Sequence, residues 1–447
     1  MTDRDTPRNE RLRRTIRAVA CAHPFYRARF RDWGVAAHDI DSLEALERLP
    51  PTRKDDYIAD PEAFRLRAED LPQDFAAPER VLWDVAYTTG TTSGRPSPFY
   101  NTTHDAYAIW DQARRCNEAE GVQPTDRVAN LYPIADFPTG AFLSVMRSAM
   151  VGGLPVVCGL TGSAQSEFKV RHSLGEALDI VTRFRPTVLW GVPSFMRRFL
   201  DAAARAGRDL SAVRLVITSG EPMPASLRAE LASLLSRCGA ENVAIRARYA
   251  FTEMQGGLVQ CADAAPVQNV VPDLYYLEVV DPDSGRRLPD GEAGMLAITH
   301  LHRRGTVLLR YLVGDIVTLS RAPCPHCGRW GERVVATPRR TGSLVKCRGM
   351  LVNTEVVIEV LSTAEGLDQF QIVFARDEGP AAMDRMLIRI ERDAGEVAEA
   401  LRARLISAVQ QAVSLRPEIE FVARGTLYDE ARSIKAMRVL DLRPKLE

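Results

Sequence analysis

Residues 187–250 read TVLWGVPSFMRRFLDAAARAGRDLSAVRLVITSGEPMPASLRAELASLLSRCGAENVAIRARYA, and this stretch decides the fold. Residues 187–190, 213–218 and 243–250 are short runs rich in β-branched or aromatic residues, as strands are. Residues 194–206 and 225–238 between them carry apolar residues at helical spacing. Strands that alternate with helices predict an α/β sheet.

The pattern changes on the C-terminal side of this stretch. From about Asp273, four strands separated by Pro, Gly and Asp turns predict a β-rich subdomain, at residues 275–280, 294–299, 307–312 and 316–319. After Gly342 a compact α+β unit is predicted, with helices at 355–361 and 396–414 and strands at 369–374, 386–391 and 418–423.

Composition excludes several classes of protein. The 447 residues are 46% hydrophobic, and 58 basic residues balance 58 acidic ones, so no global field favours nucleic acid or a membrane surface. Residues 141–160 are broken by Arg147 and Pro155 and predict a buried helix followed by a strand. We expect a cytoplasmic protein with reduced cysteines, and we interpret the arginines at 8–17 as a solvated helix face.

Polar motifs follow the predicted strands. Residues 88–94, TTGTTSG, combine hydroxyls with glycines that let the backbone approach a polyphosphate, although a plain linker is the alternative. Residues 219–222, SGEP, end a strand at the edge where α/β sheets bind ligands. Residues 249–253, YAFTE, offer an aromatic ring, a hydroxyl and a carboxylate able to hold Mg²⁺. Asp315 follows a glycine turn, where it could accept both ribose hydroxyls.

Lys435 follows these motifs near the end of the chain. A carboxylate that attacks the α-phosphorus of ATP brings several negative oxygens together, and an ammonium can stabilise that transition state. A lysine at such a position without these motifs would be a solvated surface residue.

Taken together, the motifs resemble the adenylate-forming superfamily of acyl-CoA synthetases, adenylation domains and luciferases, and its phenylacetate-CoA ligase-like branch in particular. The opening pattern PFYR at 24–27, LP at 49–50 and KDD at 54–56 resembles that branch, as does the terminal K-A-x-R-V-x-D run at 435–441. The resemblance implies an α/β fold with a large N-terminal domain (1–339), a hinge (340–344) and a small mobile α+β C-terminal domain (345–447).

The resemblance also implies residue roles, with ATP/AMP and Mg²⁺ as cofactors and CoA as a candidate acceptor. The β- and γ-phosphates would be held by Thr88, Thr89, Gly90, Thr91, Thr92, Ser93 and Gly94, and adenine by Ser219, Gly220, Glu221 and Pro222. Tyr249 would stack near adenine, Thr252 would contact the α-phosphate, Glu253 would coordinate Mg²⁺, Asp315 would bind ribose, Arg340 would lie beside it, and Lys435 would bridge the reacting groups.

Two departures from the family pattern concern the second half-reaction. The acidic pivot of the hinge is Gly342, and the glycine expected before the catalytic lysine is Ile434. These differences leave open whether the acceptor is CoA, a carrier protein or another group.

Cys324 and Cys327 form a C-x-x-C motif of the kind that supplies two zinc thiolates, and Cys261 resembles a third ligand of the branch. The usual histidine near position 268 is Gln268, so the fourth ligand would be His302, His300 or His326. A structural zinc and reduced thiols in a tight turn both stay open.

Residues 131–140 and 190–193 are expected to build the acyl pocket. Aromatic and proline walls favour a flat aromatic substrate, and the candidate lining residues are Tyr132, Asp136, Phe137, Gly140, Trp190, Gly191 and Pro193. Asp136 is either an ordinary loop carboxylate or a group that recognises an amino or hydroxyl substituent.

Three functions are compatible with this sequence. The first is an ATP-dependent ligase that activates an aryl or aryl-acrylic acid and passes it to CoA or a carrier protein. The second is an ATP-dependent diazotase of secondary metabolism that joins nitrite to an aromatic amine, and the third is a non-catalytic nucleotide-binding paralogue. The resemblance further implies a homodimer in several members.

Overall fold

The computed structural model describes residues 5–87, 96–132, 140–158, 173–336, 338–340, 344–348, 350–364, 367, 369–376, 384–392, 396–427 and 437–443. The helices of these residues are α1 Thr6–Ala22, α2 Pro24–Trp33, α3 Lys54–Ala59, α4 Ala77–Arg80, α5 Thr103–Glu120, α6 Gly140–Gly152, α7 Leu174–Phe184, α8 Pro193–Arg205, α9 Ala225–Arg237, α10 Thr354–Ser362 and α11 Glu396–Val413.

The strands are β1 Leu82–Tyr87, β2 Pro98–Thr102, β3 Val128–Asn130, β4 Val156–Cys158, β5 Val188–Gly191, β6 Leu215–Ser219, β7 Ala244–Phe251, β8 Gly256–Val259, β9 Val267–Gln268, β10 Tyr275–Val280, β11 Ala293–His300, β12 Tyr311–Ser320, β13 Arg333–Val334, β14 Arg339–Arg340, β15 Leu344–Cys347, β16 Met350–Asn353, β17 Phe370–Arg376, β18 Asp384–Glu391, β19 Glu418–Val422 and β20 Val439–Asp441.

A sheet of twelve strands forms the centre of the fold, in the order β10-β11-β12-β13-β9-β8-β7-β6-β5-β3-β4, with β14 paired to β12. Strands β4, β3, β5, β6 and β7 are parallel, and helices α7, α8 and α9 lie in the connections between them. The predicted α/β alternation is therefore confirmed, with ends that differ by one or two residues, as helix and strand boundaries commonly do.

Helix α1 packs its arginine-rich segment against the sheet instead of exposing all of it. Arg8 is only 3% exposed, and its guanidinium forms a salt bridge of 2.6 Å with Glu332. Arg14 pairs with Glu79 at 2.9 Å, while Arg17 forms an exposed pair with Asp74. The interpretation of residues 8–17 as a solvated helix face is wrong for Arg8, because Arg8 is buried in a pair with Glu332. This partner is distant in sequence, so the spacing within the helix did not indicate it.

The antiparallel half of the sheet corrects one prediction. Instead of separate strands at 307–312 and 316–319, a single strand β12 runs from Tyr311 to Ser320. Residues 307–309 are buried but bond to the N-terminal region and to His300, since Val307 N donates to the Phe64 carbonyl, and Leu309 N to the Tyr26 hydroxyl. Apolar content alone does not distinguish such a buried segment from a strand.

Strand β12 contains a bulge beside Asp315. Met295 pairs with Ile316 and Ala297 pairs with Leu312, so residues 313–315 lie opposite the single residue 296. Gly314 has φ +94°, a conformation that glycine adopts without the steric cost of a side chain. Such bulges re-aim the neighbouring side chain.

The C-terminal region has its own hydrophobic core and the predicted α+β content. Strands β19-β18-β17-β20 form one sheet, and α10 and α11 contribute Val357, Leu361, Leu405 and Val409 to its core. The hairpin of β15 and β16 was not among the predicted elements. Across the described ranges, no helix has the length and apolar character needed to cross a membrane.

Candidate active site

Two of the predicted motifs, at 219–222 and 249–253, lie at the carboxyl ends of the neighbouring parallel strands β6 and β7. In the β6–β7 pairing Ser219 lies opposite Arg248, and in the β5–β6 pairing Gly191 lies opposite Thr218. Open α/β sheets bind ligands at this edge. Because alternate residues of a strand face opposite sides, Arg248 and Tyr249 point to different faces of β7. The two faces are described separately as the Tyr249 face and the Arg248 face.

On the Tyr249 face, the Tyr249 hydroxyl donates a hydrogen bond to the carboxylate of Asp315. Asp315 is 8% exposed and follows the Gly314 bulge. Its backbone pairs with Arg340 in the short ladder of β12 and β14, so the structure brings these three predicted residues together. An aromatic ring beside a carboxylate at a strand end suits a nucleoside, whose base stacks and whose hydroxyls donate.

Glu253 lies in a short 3₁₀ turn, Thr252–Met254, directly after β7. Its half-buried carboxylate accepts a hydrogen bond from the Tyr311 hydroxyl and lies near the Lys54 ammonium and Asp315. Burial raises the pKa of Glu253, and Asp315 raises it further, whereas the backbone and Lys54 oppose the shift. A carboxylate in such surroundings gains most from a nearby cation, which is the property expected of a Mg²⁺ ligand.

His300 supports the turn that carries Glu253. Its Nε2 lies 2.8 Å from the Glu253 carbonyl, and its Nδ1 accepts from Leu308 N at 3.1 Å. With one nitrogen accepting and the other donating, the ring is neutral, and burial keeps the pKa of His300 well below its ordinary value. His300 therefore stabilises this turn and is not a zinc ligand. The sequence did not predict its contact with the Glu253 carbonyl.

The SGEP turn at 219–222 uses its glutamate in a contact within the protein. The Glu221 carboxylate accepts from the amide and the hydroxyl of Ser194, both at 3.0 Å, and so caps the helix that begins at Pro193. Gly220 and Pro222 are exposed beside it. The cap leaves the Glu221 side chain engaged, while the backbone of this turn lies open.

The Arg248 face holds the described pocket candidates Tyr132 and Trp190. The Tyr132 hydroxyl lies 2.6 Å from Ser219 Oγ, and burial raises the pKa of Tyr132 to about 12. Trp190 is 2% exposed, with the Arg248 guanidinium 4.3 Å above its ring. At Gly191 an added Cβ would approach Leu131 Cβ to 3.2 Å, which explains the glycine.

The remaining pocket candidates are less informative. Gly140 is an exposed first residue of α6, and Pro193 is the buried first residue of α8. Asp136 and Phe137 lie outside the described residues, as do Lys435 and the loop Thr88 to Gly94.

Three cysteines come together as the sequence predicted. The sulfurs of Cys261, Cys324 and Cys327 all lie within 4.8 Å of one another, and Gln268 Nε2 lies 3.3 Å from Cys327 Sγ. Burial, with the neighbouring thiols, raises the pKa of Cys261 to about 12. Burial also acts on Cys327, but hydrogen bonds led by that from Gln268 outweigh it and lower the pKa to about 6.

His302 does not join this group. Its ring packs against that of His104 at a tilted angle, with 4.2 Å between centroids, and burial lowers the pKa of His302 to about 2. The residue beside the cysteines at the position of the expected histidine is Gln268. The assignment of His302 as the fourth ligand is therefore corrected by its packing against α5.

Comparison with known proteins agrees with this arrangement. Residues 8–303 match the model of the AMP-binding enzyme family, and residues 352–443 match the AMP-binding enzyme C-terminal domain. The phenylacetate-coenzyme A ligase of Thermus thermophilus is 28% identical over 458 residues, covering 97% of this chain and 95% of that protein. The Escherichia coli phenylacetate-coenzyme A ligase is 24% identical over 97% of this chain and 94% of its own length.

Solved structures share the fold. A 2-hydroxyisobutyryl-CoA ligase in the postadenylation state superposes with a TM-score of 0.78 at 22% identity, over 98% of this chain and 90% of that chain. The anthranilate CoA ligase AuaEII in complex with anthranoyl-AMP superposes with a TM-score of 0.57 at 19% identity, over 83% and 68%.

Proposed function

The chain belongs to the AMP-binding enzyme family and is an AMP-forming ligase similar to phenylacetate-CoA ligases, and from this premise we propose that its substrate is an aryl or aryl-acrylic acid. In the first step a carboxylate oxygen attacks the α-phosphorus of ATP, the bond to pyrophosphate breaks, and acyl-AMP forms. In the second step the sulfur of CoA or a carrier attacks the acyl carbon, AMP leaves, and the thiol proton passes to solvent. The observation that carries the ATP-dependent step is the Tyr249–Asp315 hydrogen bond beside Glu253 at the edge of the sheet, and the aromatic side chains of Tyr132 and Trp190 on the Arg248 face support an aryl acid.

Each of the predicted nucleotide-site residues then has a role in the first step. Asp315, oriented by Tyr249, accepts the ribose hydroxyls, and the turn at 219–222 lies against adenine. Thr252 donates to the α-phosphate, and Glu253 would hold Mg²⁺, which neutralises phosphate charge when bound. Lys435 stabilises the negative oxygens of the transition state, and the loop at 88–94 holds the departing pyrophosphate.

The two-domain division is part of this proposal. The hinge at 340–344 begins at Arg340, whose backbone is paired with Asp315, so rotation of the domain at 345–447 would start beside the ribose site. With Gly342 at the pivot and Ile434 beside the lysine, the second step is where this chain departs most from its family's pattern.

The cysteine group fits a structural zinc. Three thiolates at mutual distances within 4.8 Å match part of a tetrahedral ligand set, and Gln268 or a water molecule would complete it. We expect close to one zinc per chain by metal analysis of protein purified without added metal. The variant Cys327→Ser should lose the metal, whereas Cys238→Ser, a buried cysteine elsewhere, should keep it. The zinc site would be refuted if the purified protein contained no metal and its melting temperature were the same with and without added zinc.

A homodimer is the quaternary structure we propose, on the basis of the family resemblance alone. Light scattering at micromolar concentration would test it, and a mass near 49.6 kDa would contradict it.

A diazotase is the second candidate. Gly342 and Ile434 favour it, because they alter the elements that serve thioester formation and leave the ATP-activating residues in place. In that reaction a nitrite oxygen would attack the α-phosphorus of ATP and release pyrophosphate. The amine nitrogen would then attack the nitrosyl nitrogen and release AMP, and loss of water would give the diazonium ion. The reading as a non-catalytic paralogue is set aside, because the chain is an AMP-forming ligase.

Product mass spectrometry separates the two candidates. The enzyme is incubated with ATP and a panel of aryl acids and aminoaryl compounds, with CoA in one series and nitrite in the other. An aryl thioester with AMP and pyrophosphate is the expected result. A diazonium product would select the second candidate, and absence of AMP formation in both series would reject both.

A further inference from the structure

A buried ion pair lies on the Arg248 face. Arg248 is 8% exposed, and its Nε donates to Glu120 Oε1 at 2.6 Å while Nη2 donates to Glu120 Oε2. Trp190 covers one side of the guanidinium. Burial disfavours the charge, but Glu120 more than offsets it, so the pKa of Arg248 lies above its ordinary value. The guanidinium is therefore charged, held in a fixed plane and neutralised by its partner.

A second buried pair, Arg310 with Glu278, provides a comparison in which all the guanidinium nitrogens are bonded. Arg310 Nε and Nη2 also bond to both oxygens of Glu278, at 2.8 and 3.3 Å. Its Nη1 donates to the Leu49 carbonyl at 2.6 Å, and Nη2 donates again to the Gly285 carbonyl at 2.8 Å. Every nitrogen of Arg310 has an acceptor. In contrast, Nη1 of Arg248 has no acceptor among the residues that the structure describes.

Arg248 lies where the acyl pocket is proposed. It is paired with Ser219, whose hydroxyl contacts Tyr132, and Trp190 lies on the same face two strands away. The Arg248 guanidinium lies 4.3 Å from the centroid of the Trp190 ring. A substrate ring beside Trp190 would therefore meet Nη1 of Arg248 at its edge.

We infer that Arg248 recognises a hydrogen-bond-accepting substituent on the aromatic ring of the acid, and that a ring hydroxyl or carbonyl suits it best. The inference rests on the proposed function and narrows its substrate class. Because Glu120 neutralises Arg248, a full negative charge on the substituent gains little. Arginine offers donors alone, so a ring amino group, which mainly donates, is disfavoured. Glu120 and Trp190 are positioning residues that fix the guanidinium plane.

The test measures kcat/KM for pyrophosphate release with matched acids: cinnamate, its hydroxylated and aminated ring analogues, and the corresponding benzoates. For the wild-type enzyme we expect at least one hydroxylated acid to exceed its unsubstituted parent by about 10-fold or more, since sites built for a hydroxyl reject the analogue that lacks it. The amino analogue should fall below the hydroxylated one. Equal rates for all members of each set would overturn the inference.

The variants must avoid a buried unpaired charge, so both partners are replaced. In Arg248→Met with Glu120→Leu the ratio of hydroxylated to unsubstituted acid should fall toward one, while the KM for ATP changes little. Arg310→Met with Glu278→Leu is the matched control: it removes an equally buried pair and should lower the melting temperature without changing the ratio. Persistence of the preference in the Arg248 double variant would refute the assignment.

Binding distinguishes failure of the inference from failure of the proposed function. Calorimetric titration of the same acids in the presence of AMP requires no turnover. If no acid supports pyrophosphate release but hydroxylated acids still bind more tightly to the wild type than to the double variant, the proposed reaction is wrong and the recognition site stands. If the affinities do not differ, the recognition site is wrong whatever the reaction.

Discussion

The two faces of β7 differ in how their polar groups are satisfied. On one face Tyr249 is bonded to Asp315, and Glu253 to Tyr311, so the residues are already ordered before any ligand binds. On the other face Arg248 is anchored by Glu120, yet its Nη1 has no acceptor within the described part of the chain. We therefore propose that the first face is preorganised for a ligand common to all reactions of the family, and that the second is completed by the substrate. Substitutions on the Tyr249 face should therefore affect all acids equally, and those on the Arg248 face should change the order of preference.

The largest uniform effect is expected for Lys435→Ala. Loss of one electrostatic stabiliser of the transition state should lower the rate of pyrophosphate release by about 10²- to 10³-fold, by the same factor for every acid. Single-turnover measurement with two unlike acids checks this, and Lys435→Arg, which keeps the charge, should retain more activity. Full adenylation by the alanine variant would show that Lys435 has another role.

Asp315→Asn should come next. Hydrogen bonds to a charged group contribute about 1.5–3 kcal/mol, so the KM for ATP should rise by roughly 10-fold or more with every acid. Steady-state kinetics with varied ATP measures it, and Asp283→Asn, an exposed carboxylate in a turn of the same subdomain, is the control. An unchanged KM for ATP would remove Asp315 from the ribose site.

Tyr132→Phe should produce a smaller effect that depends on the acid. The change removes the hydroxyl that contacts Ser219 and should alter kcat/KM by about 2- to 10-fold, corresponding to one hydrogen bond of about 0.5–1.5 kcal/mol. Tyr249→Phe is the counterpart on the other face and should raise the KM for ATP uniformly. The same pattern in both variants would mean that the two faces are not functionally distinct.

The smallest expected effect is on the free energy of unfolding, a property of the whole protein and not of either face of β7. Burial lowers the pKa of His23 to about 3 and that of His302 to about 2. The unfolded chain takes up these protons below pH 6.5 and the folded chain does not, so the free energy of unfolding falls as the pH falls through that range. Each residue should cost about 1 kcal/mol between pH 7 and pH 5.5. Urea unfolding at both pH values tests this, and His302→Gln should reduce the loss, while His38→Gln, an exposed histidine, should not.

Local patterns in the sequence predicted much of the fold and of the Tyr249 face. Hydrophobic spacing identified the strands and helices of residues 187–250, and the motifs ending in Glu253 and Asp315 were found because their residues are contiguous. The cysteine group was predicted from C-x-x-C spacing and one further cysteine.

The remainder depends on contacts between distant residues. Arg248 and Glu120 are 128 positions apart. In the sequence, only the position of charged Arg248 within the predicted strand 243–250 indicated that it needs a partner. Arg8 pairs with Glu332, 324 positions away, and is therefore buried. His302 packs against His104, 198 positions away, and is therefore not a zinc ligand. Tertiary packing determines such partners, and the periodicity of apolar residues along the chain does not predict them.

The bulge in β12 has a consequence for how this protein can change. The position of Asp315 depends on the bulge, in which residues 313–315 lie opposite one residue of β11. The number of residues in β12 sets this position, and the identity of their side chains does not. Single substitutions near it leave that count intact, whereas a deletion of two residues would restore a regular ladder and move the aspartate. Insertions and deletions within β12, more than point changes, should therefore limit which relatives can exchange this segment in a chimeric protein.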